Sequence, residues 1–362
     1  MKELKNLDEI LQCPVTGEEL NYVEHLADSE LAGNIKVHTE AGSGFINKSK
    51  TVFYPVKNDI VCMLPEYAFT SIEQHTNKDT LSVQKFYNEF GWKKNQENKY
   101  HDNKLFIDQQ TVADEYRTLT TERVSSFLQA GGTYMLDIAS GPVYQKESIE
   151  FSKNFACRIC IDISIRALEE AQQNLQGKNA IFILGDICNI PLKNESCDRV
   201  ISMHTLYHVP QEKQSKGMKE LIRVCKAGSN VIIAYNWGWH SMLMNLALLP
   251  SRAVRFISRL RKIYFANKNS NSDSTDRLYF YSHSPGYFRK HLPENCSIRF
   301  TVLKSLHENF ITLYLGNNKT SKKFLGYLYR LENKYPSFFG THGAFALIVI
   351  KKLLPAKTNL RS

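Results

Sequence analysis

The sequence lacks the features that would place the protein across a membrane or outside the cell. Residues 1–6 contain no apolar signal core. The uncharged stretch 231–250 is interrupted by polar side chains such as Asn236 and Asn245, which are unfavourable in a membrane span. The eight cysteines do not have the spacing of a disulfide framework. We therefore expect buried, reduced thiols and a cytoplasmic protein.

Internal repeats and long low-complexity tracts are also missing, and acidic residues are in deficit. The 362 residues carry 46 Lys and Arg against 36 Asp and Glu, which gives a net charge of +10. The length suits one large domain with additions. The positive charge favours an anionic partner, which could be nucleic acid, a membrane surface or an acidic substrate.

The most informative motif is an apolar run that passes directly into a turn of small residues. Its central residues are Asp137, Ile138, Ala139, Ser140 and Gly141. This order is typical of a first parallel strand that meets a cofactor at the edge of an α/β sheet. Small residues let the backbone approach a ligand closely. Because Asp137 is acidic, we expect it to face a cationic amine or neutral donors rather than a phosphate.

Four further apolar runs follow, and two of them repeat the acidic ending. The runs cover residues 158–162, 181–186, 197–204 and 231–236. Asp162 ends the first of them and Asp186 ends the second. Helical patterns occupy 165–175 and 211–224. Strands that alternate with helices in this way predict βαβ units and a parallel sheet.

With these motifs, residues 131–236 resemble the class I S-adenosylmethionine-dependent methyltransferases. The resemblance implies a Rossmann-like α/β sheet of seven strands, with the final strands expected at 308–314 and 344–350. It also implies S-adenosylmethionine as cofactor, with Asp162 binding the ribose and Asp186 the adenine. The other residues assigned to the cofactor are Asp137, Ile138, Ala139, Ser140, Gly141, Tyr144, Ile163, Gly185, Ile187 and His204.

The first motif departs from the family pattern at two places. Ala139 stands where the family usually has glycine, and Pro142-Val143 replaces the usual final glycine. We therefore expect a stiffer turn. The binding assignment stands, because Gly141 and the three acids are present.

Three histidines are candidates for the chemistry. Methyl transfer from a sulfonium is an in-line displacement that needs no metal, but a hydroxyl acceptor benefits from a general base. The candidate bases are His204, His208 and His283. The spacing of His204 and His208 also resembles a metal pair, but a third ligand is not apparent, so we predict no metal. For His208 the alternative is a structural role that fixes its loop.

Residues 1–66 form a separate unit by their pattern. Cys13-Pro14 and the apolar run 53–65 resemble the small zinc-ribbon-like domain that accompanies or activates several methyltransferases. Thr16 stands where the family pattern has its second cysteine, and no second close pair exists nearby. We therefore predict a β-rich unit without metal. The alternative is an unrelated β-hairpin with a chance Cys-Pro.

The remaining stretches surround the cofactor-binding core. Residues 67–130 are expected to form a helical extension that either closes over the cofactor or packs on the sheet. The insertion 237–300 is expected to carry substrate choice, because it follows a strand end. Within it, 251–264 has the pattern of a basic amphipathic helix. Such a helix could bind an anionic membrane surface or a phosphate-bearing substrate. The alternative is a solvated basic face over a packed apolar one. Residues 301–362 are expected to supply the final strands and a C-terminal helix.

Together these patterns predict an S-adenosylmethionine-dependent methyltransferase. The leading prediction is O-methylation of a small molecule, a lipid or a lipid-linked glycan, with peripheral contact to a membrane. A second candidate is RNA methylation, which the basic charge favours. The absence of an Asn-Pro-Pro-Tyr-type tetrapeptide after the fourth strand opposes it. A third candidate is a cofactor-binding partner subunit without activity, which the altered first motif allows. The sequence indicates no oligomeric state.

Overall fold

The computed structural model describes residues 5–26, 42–70, 72, 83–88, 111–250, 278–307, 310–311 and 314–355. Within these ranges the strands form one twelve-stranded sheet. They are β1 (Leu20–Val23), β2 (Gly44–Asn47), β3 (Val52–Lys57), β4 (Ile60–Cys62), β5 (Phe69–Thr70), β6 (Gly132–Ile138), β7 (Phe155–Asp162), β8 (Ala180–Leu184), β9 (Cys197–Met203), β10 (Cys225–Asn236), β11 (Cys296–Lys304) and β12 (Phe345–Lys352).

The helices connect these strands and cover both faces of the sheet. They are α1 (Thr111–Ser126), α2 (Lys146–Ile149), α3 (Ile165–Asn174), α4 (Gln214–Val224), α5 (Met242–Ala247), α6 (Pro285–Lys290), α7 (Lys319–Lys334) and α8 (Pro336–His342). Helix α3 begins where the Ser164 hydroxyl accepts a hydrogen bond from the amide of Ala167, which satisfies one of the free amides of the first turn. Its apolar residues Leu168 and Ala171 then pack against β7 and β8.

Seven strands form the predicted α/β core. Their order is β8-β7-β6-β9-β10-β12-β11, and β12 runs antiparallel to both of its neighbours. Strands β6 to β10 pair in parallel, as the alternation of strands and helices predicts. The predicted Rossmann-like fold class is therefore confirmed. The last predicted strand, at 344–350, is also confirmed as β12.

The prediction for the sixth core strand was wrong. The structure places this strand at Cys296–Lys304, and the described residues of the expected stretch, Phe310, Ile311 and Tyr314, are helical. The apolar density of 308–314 favoured a strand there. The actual strand has an alternating pattern, in which Cys296 and Phe300 are buried and the residues between them are more exposed. The insertion expected to end at residue 300 thus already includes part of this strand.

The core strands are buried on both faces, which explains their continuous apolar runs. In β10, Val231, Ile233 and Tyr235 belong to one apolar cluster. The alternating residues Ile232 and Ala234 belong to another, on the opposite face. A side-chain period of two therefore supplies both layers of the core.

The N-terminal unit continues the same sheet. Strand β4 pairs in parallel with β8, so that Ile60 lies opposite Phe182 and Cys62 opposite Leu184. Strands β1, β2, β3 and β5 extend the sheet beyond β4 through antiparallel pairs. The side chain of Asn189 also donates to the carbonyl of Pro14 at 2.8 Å. The loop after β8 is thus held directly by the N-terminal unit.

Two further predictions concern metal and membrane. In the part of the chain that the structure describes, no three His, Cys, Asp or Glu side chains come together as a metal site. The Cys13 thiol lies 3.3 Å from the Tyr54 hydroxyl inside the core of the N-terminal unit. None of the helices in the described ranges has the length and apolar character to cross a bilayer. The predicted basic helix 251–264 lies outside the described residues.

Candidate active site

A cavity of about 400 Å³ opens at the carboxyl ends of β6, β7, β8 and β9. All twelve residues assigned to the cofactor line it. Two parts of its wall differ in chemistry. The acid side comprises the 137–144 turn, Asp162 and Asp186, and the aromatic side comprises Tyr207, His208, Phe280 and Phe345.

The turn after β6 keeps a left-handed backbone where glycine is missing. Ala139 has a φ of 53°, Gly141 of 59° and Val143 of 46°. The amide of Ala139 donates to the carbonyl of Ile161 at 2.6 Å, which ties the turn to the end of β7. Left-handed backbone is unfavourable for residues with a Cβ, and most of all for a β-branched one. The altered motif therefore follows a path that suits glycine and stores strain beside the cavity.

Asp162 joins the turn to the start of helix α3. One carboxylate oxygen accepts from the amide of Gly141 at 2.9 Å, and the other accepts from the amide of Ser164 at 2.8 Å. Burial raises the pKa of Asp162 to about 6, although these amides oppose the rise. The carboxylate is therefore mainly ionised at neutral pH. Each of its oxygens has a second lone pair that can accept from a ligand hydroxyl.

Asp186 occupies the equivalent position after β8. Its carboxylate accepts from the amide of Cys188 at 2.9 Å. Burial raises the pKa of Asp186, while hydrogen bonding by Cys188 and the charges of Lys213 and Lys216 act against the rise. Three acids at successive strand ends thus face one cavity, as the sequence pattern predicts.

The surroundings of Asp137 differ from those that the sequence suggested. Its buried carboxylate forms an ion pair with the Arg158 guanidinium, so it already has a cationic partner within the chain. Arg158 also donates to the carbonyl of Ser148 at 2.7 Å. Its Nε atom is buried and has no hydrogen-bond partner among the described residues. Burial raises the pKa of Asp137, and the charge of Arg158 opposes that rise.

The aromatic side is a cluster of rings held edge to face. Tyr207 lies 4.5 Å from His208 and 5.1 Å from Phe280, measured between ring centroids. The ring of His204 lies 5.4 Å from that of Phe345 at nearly a right angle. Such packing excludes water and leaves few orientations open to the two imidazoles. His204 also has a φ of 60°, so the exit from β9 is another left-handed position at the cavity wall.

His208 is held in its neutral form. Its Nδ1 lies 2.7 Å from the carbonyl of Tyr279, so Nδ1 carries the hydrogen and Nε2 is an acceptor. Burial lowers the pKa of His208 to about 4. The side chain lines the cavity. Its hydrogen bond to the Tyr279 carbonyl fixes the loop, and its Nε2 is an acceptor nitrogen; its role as a base stays a prediction.

His283 does not join the other two candidate bases. Its ring stacks on Tyr287 with the centroids 3.5 Å apart, and its amide donates to the Tyr235 hydroxyl at 2.9 Å. It is not among the residues that line the cavity. The prediction of His283 as a candidate base therefore needs correction, because these contacts hold its ring away from the wall of the cavity.

Several wall residues carry no sequence motif. Arg158, Lys304 and His307 line the cavity, as do Val83 and Tyr87 from the short helical segment 83–88. The ammonium of Lys304 lies 4.4 Å from the centroid of the Phe345 ring, and the His307 ring stacks on the same phenyl group at 5.7 Å. Phe86, Tyr87 and Phe90 have helical spacing, and this is the signal that the sequence offers for the segment 83–88. The others reach the site through strand pairings that join distant parts of the chain.

Known proteins resemble this chain in sequence over part of its length and in structure. The sequence profile of a methyltransferase domain matches residues 136–233. The magnesium protoporphyrin IX methyltransferase of Synechocystis PCC 6803 with bound SAH is 17% identical, covers 76% of this chain and 100% of its own, and has a TM-score of 0.44. The DhpI–SAH complex is 14% identical, with coverages of 78% and 100% and a TM-score of 0.46. Among curated proteins no sequence matches this chain.

The matched profile covers the chain from β6 to β10, the strands whose carboxyl ends form the acid side. The same strands occupy the centre of the seven-stranded sheet. The stretch that matches a methyltransferase domain is thus the part of the chain that builds the acid side of the cavity.

Proposed function

We propose that this protein transfers a methyl group from S-adenosylmethionine to a hydroxyl of a small molecule, a lipid or a lipid-linked glycan. The proposal rests on one observation: the acid side and the aromatic side belong to the wall of the same cavity. One part offers charged and backbone groups at strand ends. The other offers rings and a neutral imidazole. A polar cofactor and a partly apolar acceptor need such a pair of environments next to each other.

The residues of the acid side fit the cofactor. Asp162 and Asp186 present buried carboxylates with lone pairs that suit ribose hydroxyls and the amino group of adenine. Arg158 and Asp137 together offer both charge signs to the zwitterionic methionine end. When bound, S-adenosylmethionine supplies a methyl group on a positively charged sulfur. The protein's contribution is to hold the acceptor in line and to keep water out.

The aromatic side supports a hydroxyl acceptor. His208 donates through Nδ1 to the Tyr279 carbonyl, so its Nε2 can accept a hydrogen bond from a hydroxyl that enters the cavity. Its low pKa keeps the ring unprotonated at neutral pH, so Nε2 stays free to accept the hydrogen bond of the acceptor hydroxyl. Tyr207 and Phe280 enclose the imidazole and present apolar surface to the rest of the acceptor.

The alternatives have weaker support from the site. RNA methylation is favoured by the net charge of +10 and by the resemblance of the N-terminal unit to a methyltransferase-activating domain, but the neutral imidazole of His208 suits a hydroxyl acceptor. A partner subunit without activity would not need a neutral imidazole in the same cavity as the acid side. Both alternatives are outcomes of the experiment that tests the proposal.

A transfer assay with methyl-labelled cofactor tests this function. The protein is mixed with cell extract separated into lipid, glycan, RNA, protein and small-molecule fractions. We expect label in the lipid, glycan or small-molecule fraction. Asp162→Asn should abolish it, and the exposed Glu212→Gln serves as the control that keeps it.

Each other result reassigns the function. Label in RNA that Asp162→Asn abolishes would replace the proposed acceptor by a nucleic acid. Cofactor binding without label in any fraction would identify a partner subunit. If the unchanged protein does not bind S-adenosylmethionine, the proposal is overturned altogether.

A further inference from the structure

An exposed row of apolar side chains lies beside the aromatic side of the cavity. It consists of Trp239, Met242, Leu246 and Leu249, and we call it the apolar stripe. Trp239 is 76% exposed, Leu246 57% and Leu249 54%. Soluble proteins rarely expose several large apolar side chains together. Where they do, the exposed apolar surface commonly marks an interaction site.

Helix α5 fixes the stripe with its apolar side chains outward. Met242 and Leu246 are four residues apart on α5 and so share one face. Leu249 follows the helix after the turn at Leu248 and is also exposed. The opposite face is anchored, since Met244 is buried and its sulfur accepts from the amide of His307 at 3.4 Å. Ser241 caps the helix and donates to the carbonyl of His342 at 3.2 Å. The stripe is therefore held on a fixed support.

The stripe continues into the wall of the acceptor site. A second cavity of about 200 Å³ lies between helix α5 and the core, with Trp239 and Leu248 in its wall. Asn236, Phe280 and His307 line this cavity and also the larger one. An apolar surface that reaches Phe280 thus adjoins the rings of the aromatic side.

The charge of the surrounding sequence identifies the partner. From residue 231 to residue 272 the chain has six Arg and Lys and no Asp or Glu. Five of these cations lie at 252–262, directly after the stripe in sequence. Apolar anchors with tryptophan among them, next to clustered cations, are the combination that binds an anionic bilayer interface. A soluble protein partner would not require such a run without acids.

We infer that the apolar stripe inserts into the interface of an anionic lipid bilayer and places the aromatic side of the cavity at the membrane surface. This inference rests on the proposed function and narrows it, because the acceptor is then an amphiphile that resides in the membrane. Its hydroxyl would enter past Phe280 while its apolar part stays in the lipid. The bilayer contact itself requires no methyl transfer, so it is tested separately.

Co-sedimentation with vesicles measures the contact. Vesicles of phosphatidylcholine with about one third phosphatidylglycerol are compared with phosphatidylcholine alone. We expect the full chain to bind the anionic vesicles and Leu246→Gln/Leu249→Gln to bind them about tenfold more weakly, because two inserted side chains lose their apolar burial. The matched control is Phe324→Gln/Tyr327→Gln on α7, which changes two side chains of similar exposure and should have no effect.

Tryptophan fluorescence adds a local readout. Trp237 is fully buried, whereas Trp239 is the exposed tryptophan of the stripe. Brominated lipids should quench the emission of the full chain, and Trp239→Phe should remove most of this quenching. All variants change exposed side chains, so their binding of S-adenosylhomocysteine should equal that of the unchanged protein.

The outcomes separate this inference from the proposed function. Equal vesicle binding by the stripe variant and the unchanged protein would overturn the docking surface, as would equal binding to neutral vesicles. If the unchanged protein self-associates and does not bind vesicles, and Leu246→Gln/Leu249→Gln is a monomer, then a second copy of the chain covers the stripe and the membrane contact is overturned. If vesicles bind through the stripe but S-adenosylhomocysteine does not bind the protein, the docking surface stands and the proposed reaction fails.

Discussion

The acid side and the aromatic side of the cavity are assembled in different ways. The acid side comes from turns that directly follow β6, β7 and β8, and backbone hydrogen bonds such as that from Gly141 to Asp162 hold it together. The aromatic side brings together residues that are far apart in sequence, because the ring of Tyr207 contacts that of Phe280 and the ring of Phe345 contacts that of His204. The positions of the acid-side groups therefore depend on the strand ends alone, whereas the positions of the aromatic-side rings depend on the whole fold.

The difference extends to charge. Carboxylates and a guanidinium occupy the acid side, where amides and ion pairs stabilise them. The aromatic side holds its histidine neutral because burial lowers its pKa. Changes on the acid side should therefore alter folding and cofactor binding, and changes on the aromatic side should alter transfer alone.

The largest effect should come from breaking the buried ion pair. Arg158→Met leaves the Asp137 carboxylate buried without its partner, so the free energy of unfolding should fall by about 3–5 kcal/mol. Adding Asp137→Asn to this variant removes the stranded charge and should restore part of the loss. Urea unfolding followed by circular dichroism measures both. A loss of equal size in the double variant would show that the pair does not act as a unit.

A change on the aromatic side should slow transfer without weakening cofactor binding. His208→Asn keeps a donor for the Tyr279 carbonyl but removes the acceptor nitrogen, so kcat should fall about 100-fold. Calorimetry should find an unchanged Kd for S-adenosylhomocysteine. His283→Asn is the control, since its ring lies away from the cavity wall and transfer should persist. Full activity in His208→Asn would leave His208 with a structural role only.

The acid side should respond to pH in the range where Asp162 titrates. Because the pKa of Asp162 is about 6, its carboxylate gains a proton as the pH falls below that value and then loses acceptor capacity for the ribose. The affinity for S-adenosylhomocysteine should fall about tenfold between pH 7 and pH 5. Calorimetry across this range measures it. In Asp162→Asn the affinity should be low and flat, and a persisting slope would assign the effect to another group.

The stability linkage of Asp162 has the opposite sign. Its folded pKa lies above the unfolded value, so its contribution to stability is complete at low pH and is lost as the pH rises through about 6. Tight cofactor binding therefore occurs where this carboxyl group destabilises the folded protein, which is a cost that the bound cofactor offsets.

The smallest effect should come from relieving the strained turn. Ala139→Gly removes the Cβ from a residue with a φ of 53°, and the free energy of unfolding should rise by about 0.5–1 kcal/mol. Ala167→Gly in helix α3 is the matched control and should lower stability, because a helical residue gains nothing from this freedom. A loss of stability in Ala139→Gly would mean that the turn is not strained at this position.

The sequence predicted what depends on local pattern. The five strands from β6 to β10 follow from apolar runs, three of which end at the acids at 137, 162 and 186, and the structure has these strands and places the three acids at one cavity. The partner of Asp137 could not be predicted, because Arg158 lies within an apolar run with no sign of its buried ion pair. His283 was misplaced since its position depends on how the chain after β10 packs. The strand at Cys296–Lys304 was missed in favour of a denser apolar run nearby.

The pairing of β4 with β8 has a consequence for how the chain folds. Residues 60–62 are synthesised early, yet their partner in the sheet follows about 120 residues later. Contacts of such long sequence separation form late and slowly. Until they form, β8 is an open edge with free backbone groups, the kind of surface through which chains aggregate. The N-terminal unit thus covers this edge of the sheet, and a fragment that begins after it would leave the edge exposed.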